Sequence, residues 1–193
     1  MTEPAVLEHT DLAGNLALIT SEIADIIDRL DIGQAEPLVR LIQQADRIFV
    51  VGAGRSGLVL KMAAMRLMHL GLTVHVVGES TTPAIGPGDL LIAASGSGTT
   101  SSVVHAAATA ARVGAKVASY TTTADAALAS LSDRVFIIPA AQKTDHRGTL
   151  SRQYSGSLFE QALLITTEAV FQTVWDLHGV PADELWPRHA NLE

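Results

Sequence analysis

The chain has 193 residues, 48% of them hydrophobic and 17% charged, a balance that excludes a disordered chain and fits one domain with a substantial core. Its formal net charge is −7, and its 13 basic residues form no run able to track a phosphate backbone, so a nucleic acid is not an expected partner. The absence of cysteine removes disulfides, thiol nucleophiles and thiolate metal sites together.

The N-terminus carries Glu3, Glu8 and Asp11 where a secretory leader would carry bases and an apolar run, so a cytoplasmic protein is expected. From Leu12 the residues Leu12, Leu16, Ile19, Ile23, Ile26 and Leu30 recur at alternating steps of four and three, the stripe of an amphipathic helix. That stripe either packs on the domain or forms half of a subunit contact. A short helix over Glu36–Gln44 follows. The pattern then becomes strand, loop, helix, repeated. Short apolar, β-branched segments predict strands at Arg47–Val51, Thr73–Val77, Leu90–Ala94, Lys116–Tyr120 and Val135–Ile138. Helices are expected over Ser56–Leu70, Thr100–Val113, Ala124–Leu131 and Tyr154–His178, while Val77–Leu90, with Pro83, Gly86, Pro87 and Gly88, reads as a loop. The longest uncharged segment, Leu90–Ala111, is interrupted by eight consecutive Ser, Gly and Thr residues and cannot span a membrane.

Alternating βα units imply an α/β fold, a five-stranded parallel sheet flanked by helices on both faces in the flavodoxin-like, doubly wound manner. The expected division is an N-terminal helical extension at 1–45, packed on the domain or on a partner subunit, the α/β domain at 46–180, and a tail at 181–193.

Two strands end in glycine-rich loops that each open a helix: Gly52-Ala53-Gly54-Arg55-Ser56-Gly57 and Ser95-Gly96-Ser97-Gly98-Thr99-Thr100. In a parallel sheet both lie at the carboxyl edge and face one crevice. The first matches G-x-G-x-x-G, a weak dinucleotide signature, with Glu79 as a conceivable ribose ligand. The second joins close-approach glycines and four hydroxyls to a helix N-terminus, the arrangement that cups a single phosphate group. A tight turn and helix cap is the alternative reading of the same residues.

Through these loops the chain resembles the sugar isomerase (SIS) domain family, whose mark is a strand followed by SGSG and a helix. GAGRSG, MRLMHLG, VVGESTTPAI, LLIAASGSGTT, QYSGSLFEQALL and the terminal RHANLE are similar to the 6-phospho-3-hexuloisomerases within it, of the actinobacterial type. The resemblance runs over nearly the whole chain from Arg47, with Thr99 standing where many relatives have Glu. It implies interconversion of D-arabino-hex-3-ulose 6-phosphate and D-fructose 6-phosphate in the ribulose monophosphate route of formaldehyde fixation. It further implies a homotetramer and functional coupling to 3-hexulose-6-phosphate synthase; the histidines show no metal spacing, and an enediol path stabilised by hydrogen bonds calls for no metal or cofactor.

Moving a ketone from C3 to C2 through a 2,3-enediol requires one general base and one electrophile. Glu160 is flanked by the apolar Leu158, Phe159, Leu163 and Leu164, so it is either a carboxylate desolvated against that apolar side or a solvated acid in a helix's first turn, and the resemblance places the proton acceptor there. His69 is the second catalytic candidate. It lies thirteen residues beyond Ser56, roughly 20 Å along a helix, so it would serve a neighbouring subunit's crevice, as would His189, in a tail with no evident core role that otherwise reads as a flexible end. The usual role for a helix-terminal histidine is packing or dipole compensation. Arg55 and Ser56, with Ser95, Gly96, Ser97, Gly98, Thr99 and Thr100, are the expected substrate and phosphate contacts, with pairing of Arg55 to an acid such as Glu79 the alternative. The stretch Pro139–Gln153, with Lys143, His146, Arg147 and Arg152, reads as an exposed loop or a lid. Other readings of the chain are a SIS isomerase acting on arabinose 5-phosphate or sedoheptulose 7-phosphate, a non-catalytic sugar-phosphate sensor, and a nicotinamide-binding domain.

Overall fold

A computed structural model describes residues 11–142 and 151–192. Helix α1 (Leu12–Asp28) starts at Asp11, whose carboxylate accepts from the Gly14 amide at 2.8 Å. Its stripe divides along its length. Ile26 is fully buried, and Ile23 with Leu30 just beyond the helix packs on the core, whereas Leu12 and Leu16 are 67% and 54% exposed. A 3₁₀ turn (Ile32–Gln34) leads into α2 (Ala35–Gln44), which buries Leu38, Val39 and Ile42.

The α/β portion follows as β1 (Ile48–Gly52), α3 (Gly54–His69), β2 (Val74–Val76), β3 (Leu90–Ala94), α4 (Ser101–Arg112), β4 (Lys116–Thr121), α5 (Ala127–Ser130), β5 (Arg134–Ile137) and α6 (Ser157–His178). The five strands are parallel in the order β2-β1-β3-β4-β5, the flavodoxin-like order expected. Strand side chains alternate between two cores. Ile48, Val50, Leu90 and Ile92 join residues of α1, α2, α3 and α6 on one face, and Phe49, Leu91, Ala93 and Val117 join α4 and Leu128 of α5 on the other. No helix separates β2 from β3, as the proline and glycine content of that segment predicts.

Register places the site. Gly52 pairs with Ala94, and Ala94 with Tyr120, so β1, β3 and β4 end level and their following loops stand side by side. At the opposite edge Arg47 clamps Asp89 through Nε at 2.9 Å and Nη2 at 2.6 Å, and Asp89 also accepts from the Gly86 amide at 2.7 Å.

Two expectations need correction. Helix α6 begins at Ser157, later than the expected Tyr154, because Gly156 takes the left-handed conformation at φ 85° and turns the chain into the helix. The tail is not without a core role. Helix α7 (Ala182–Leu185) and the 3₁₀ turn Trp186–Arg188 dock on α3: Leu185 is buried, and Arg188 Nη1 donates to the His69 carbonyl at 3.0 Å. Lys143, His146 and Arg147 lie outside the described residues. Among the described residues, no helix is long and apolar enough to cross a membrane.

Candidate active site

The turn from β1 into α3 is a backbone-on-backbone contact. A Cβ on Gly57 would sit 2.5 Å from the Gly52 carbonyl oxygen, and one on Gly52 would sit 2.9 Å from the Gly57 Cα. These two glycines of the G-x-G-x-x-G pattern are therefore required by strand–helix packing, and no nucleotide is needed to explain them. The same turn presents Gly54 and Ser56 to a cavity of about 170 Å³.

The loop after β3 forms the cavity's second wall with Ser95, Gly96, Ser97 and Thr100. It is held from behind. The Gly96 carbonyl accepts from Thr122 Oγ1 at 2.8 Å and from the Thr122 amide at 3.1 Å, and the Gly98 carbonyl accepts from the Leu128 amide at 2.9 Å. Gly98 has φ +64°, and a Cβ there would fall 2.4 Å from that of Ala126. Ser95 Oγ and Thr100 Oγ1 share a hydrogen bond of 2.8 Å across the base of the loop, and Thr99 Oγ1 donates to Ser97 Oγ at 3.0 Å. The carbonyls are thus engaged away from a wall made of hydroxyls at the start of α4, a setting that favours an anion.

A third wall comes from the connection between β5 and α6: Ala141 and Gln142 at one end, Gly156 and Phe159 at the other. The Phe159 ring packs on Gly96, where an added Cβ would stand 3.3 Å from it. Sequence reasoning singled out neither Gln142 nor Gly156. The rule that carboxyl ends of parallel strands share a crevice, applied to β5 as well as β1 and β3, points to this segment.

Glu160 follows Phe159 in the first turn of α6, and its side chain is only 6% exposed, which sets aside the solvated-acid reading. Its carboxylate meets Arg55 Nε at 2.5 Å, while the Arg55 side chain is 65% exposed at the mouth of the first loop. The alternative partner, Glu79, is held by Lys61 at 2.8 Å. The structure thus brings together Arg55, Ser56, Ser95, Gly96, Ser97, Thr100 and Glu160. Gly98 is turned toward Ala126, and Thr99 lies exposed on the outer side of the same loop.

His69 sits at the far end of α3, fifteen residues and about 20 Å along the helix from Gly54. It is buried, and its ring stacks on His189 at 4.0 Å between centroids, with Trp186 4.7 Å beyond His189. Burial, with the charges of His189 and Arg66, pushes the His69 pKa below the ordinary histidine value. Neither histidine reaches the cavity of its own chain. Arg66 itself pairs with Glu168 at 3.1 Å, tying α3 to α6.

Residues 41–165 match the SIS domain family. The chain is 62% identical to the 3-hexulose-6-phosphate isomerase of Mycobacterium gastri over 95% of its own length and 92% of that protein's. The chain belongs to the SIS-domain family, among its 3-hexulose-6-phosphate isomerases. A second such isomerase, from Bacillus subtilis, is 37% identical over 92% of this chain and 97% of its own. Among solved structures, the SIS fold here superposes with TM-score 0.81 on a Methanococcus jannaschii protein for which that isomerase function was inferred, at 28% identity, covering 93% of this chain and 99% of that one. The SIS-domain membership accounts for the SGSG loop, its helix and the sheet order together.

Proposed function

We propose that the chain interconverts D-arabino-hex-3-ulose 6-phosphate and D-fructose 6-phosphate through a 2,3-enediol, within the ribulose monophosphate route of formaldehyde fixation. The observation that carries this reading is the carboxylate of Glu160, buried beside an SGSG-lined cavity and paired with Arg55. Identity to the Mycobacterium gastri enzyme over nearly the whole chain supports the substrate.

In this reading the Ser95–Thr100 loop takes the terminal phosphate through the Ser97 and Thr100 hydroxyls and its backbone, with Ser56 contributing from the first loop. Arg55 supplies positive charge between that phosphate and Glu160. Glu160 accepts the proton from C2; the electrons of the C2–H bond form the C2=C3 double bond, and O3 gains a proton to give the enediol. O2 then loses its proton, the C2 carbonyl forms, and Glu160 returns the first proton to C3. One base suffices because C2 and C3 are adjacent.

The group that polarises the oxygens comes from a neighbouring subunit in this reading: His69, carried together with the stacked His189. The surface that would bring a second copy is the exposed face of α3, where Leu58, Met62, Met65 and Met68 recur at steps of four, three and three. In this reading the working assembly is a homotetramer, cytoplasmic and supplied by 3-hexulose-6-phosphate synthase.

The deciding experiment generates the 3-ulose in situ from ribulose 5-phosphate and formaldehyde with a synthase, and couples fructose 6-phosphate formation to NADPH. Wild type is expected to turn over, and Glu160→Gln to lose about 10²- to 10⁴-fold in kcat while still binding fructose 6-phosphate. Turnover retained by the variant moves the base elsewhere. Absence of turnover, with arabinose 5-phosphate and sedoheptulose 7-phosphate also inert but fructose 6-phosphate still raising Tm, replaces the isomerase reading with a sensor.

A further inference from the structure

Glu22, on α1, belongs to the N-terminal extension and lies far in sequence from every loop of the cavity. Its carboxylate nevertheless gathers three donors from the segment that leads into α6. Ser151 Oγ donates to Oε2 at 2.6 Å, the Arg152 amide to Oε1 at 2.8 Å, and Gln153 Nε2 to Oε2 at 3.0 Å. Ser151 Oγ in turn accepts from the Gln153 amide at 3.0 Å, so the carboxylate and one hydroxyl together fix three consecutive residues. The chain of bonds continues: Gln161 Nε2 donates to Gln153 Oε1 at 2.9 Å. Gln161 is the residue after Glu160.

Burial of Glu22 works against its charge, but the bonds from the Arg152 amide, Ser151 and Gln153 outweigh it and hold its pKa below the ordinary glutamate value. The clasp is therefore charged at neutral pH, and charge-assisted bonds of this kind are short and directional. What they direct is the approach to α6. Gly156, three residues beyond Gln153, lines the cavity and turns the chain at φ 85°; Phe159 lines it too, and Glu160 stands next in line. The α1 helix is itself seated on α6, so the clasp closes a triangle of α1, the 151–153 segment and the first turn of α6.

We infer that Glu22 is a positioning residue for the isomerisation, setting through Ser151, Gln153 and Gln161 where the first turn of α6 holds Phe159 and Glu160 against the SGSG loop. This rests on the reading of Glu160 as the base. An error of about 1 Å in such placement costs turnover while leaving phosphate binding in place. The N-terminal extension is on this account part of the catalytic apparatus.

The test compares wild type with Glu22→Ala, counting competent sites by the calorimetric stoichiometry of fructose 6-phosphate and dividing kcat by that count. Positioning predicts a fall of tenfold or more in kcat per binding site with KM within twofold of wild type. A merely structural role lowers the stoichiometry and leaves kcat per site unchanged, which overturns the inference. The pair Glu22→Gln with Gln153→Glu reverses one donor and acceptor and is expected to recover at least part of the loss. If Glu22→Ala does not fold, Gln153→Ala, which spares the bonds to Ser151 and the Arg152 amide, is judged by the same criterion. Glu160→Gln run in parallel separates the two questions, because its retained turnover defeats the assignment of the base whatever Glu22 does.

Discussion

Glu160 and Arg55 show what a buried carboxylate needs in order to persist. An ionised group that has lost its water requires a charge or hydrogen-bond donors in return, and Arg55 meets Glu160 from a loop that opens a different helix. In the proposed function the SGSG loop works by the same chemistry in mirror image, its hydroxyls and helix start taking an anion. Ser97→Ala combined with Thr100→Ala removes two hydroxyls from this wall, and hydrogen bonds to a charged phosphate contribute about 1.5–3 kcal/mol each. KM for the hexulose phosphate is expected to rise about tenfold or more with kcat changed much less; an unchanged KM in the coupled assay would refute the cradle.

At the scale of elements, α3 is the most heavily used. Its first turn supplies Gly54, Arg55 and Ser56 to the site, its exposed face carries the Leu58 and Met62 stripe, and its last residue is clasped by the tail. His69 reports on that clasp. Its pKa is lowered in the folded chain, so between that value and about 6.5 the unfolded chain binds more protons than the folded one. Stability then rises with pH across this window: the contribution is complete above about 6.5 and is lost progressively as pH falls below it. His69→Phe keeps a ring against His189 but cannot titrate. Its Tm is expected to fall less steeply between pH 7 and pH 5 than that of wild type, and parallel Tm curves would rule the coupling out.

At the scale of the whole molecule, one chain holds both halves of the proposed chemistry but about a helix length apart. Glu160 pairs with Arg55, which stands between the cavity-lining Gly54 and Ser56, while His69 and His189 are at the other end of α3. In the proposed function a second copy brings them together, seated on the apolar face of α3. Mixing Glu160→Gln subunits with His69→Ala subunits is expected to restore part of the activity, because some hybrid interfaces contain both an intact base and an intact histidine. Hybrid oligomers verified by native mass spectrometry that remain inactive would place each site within a single chain.

Much of the fold is legible in the sequence. Hydrophobic periodicity and glycine punctuation are local signals, and they located all five strands to within a residue or two. SGSG after a buried strand announced its own wall of the cavity. Glu160 was singled out through its motif, but the sequence left open whether it is covered or solvated, since one helix's sequence does not say which face is covered. The tail misled because Leu185 and Arg188 are ordinary in sequence and acquire a role only when α3 lies beneath them.

By itself the sequence determined the α/β class, the parallel sheet, the two glycine loops and the family, because each depends on neighbours within a few residues or on motifs copied whole. Tertiary structure alone decided the partner of Arg55, the third wall around Gln142 and Gly156, the stacking of His69 on His189, and the hold of Glu22 on the approach to α6. Those are contacts between segments up to about 130 residues apart, fixed by strand register and helix packing, and no local pattern in the chain encodes them.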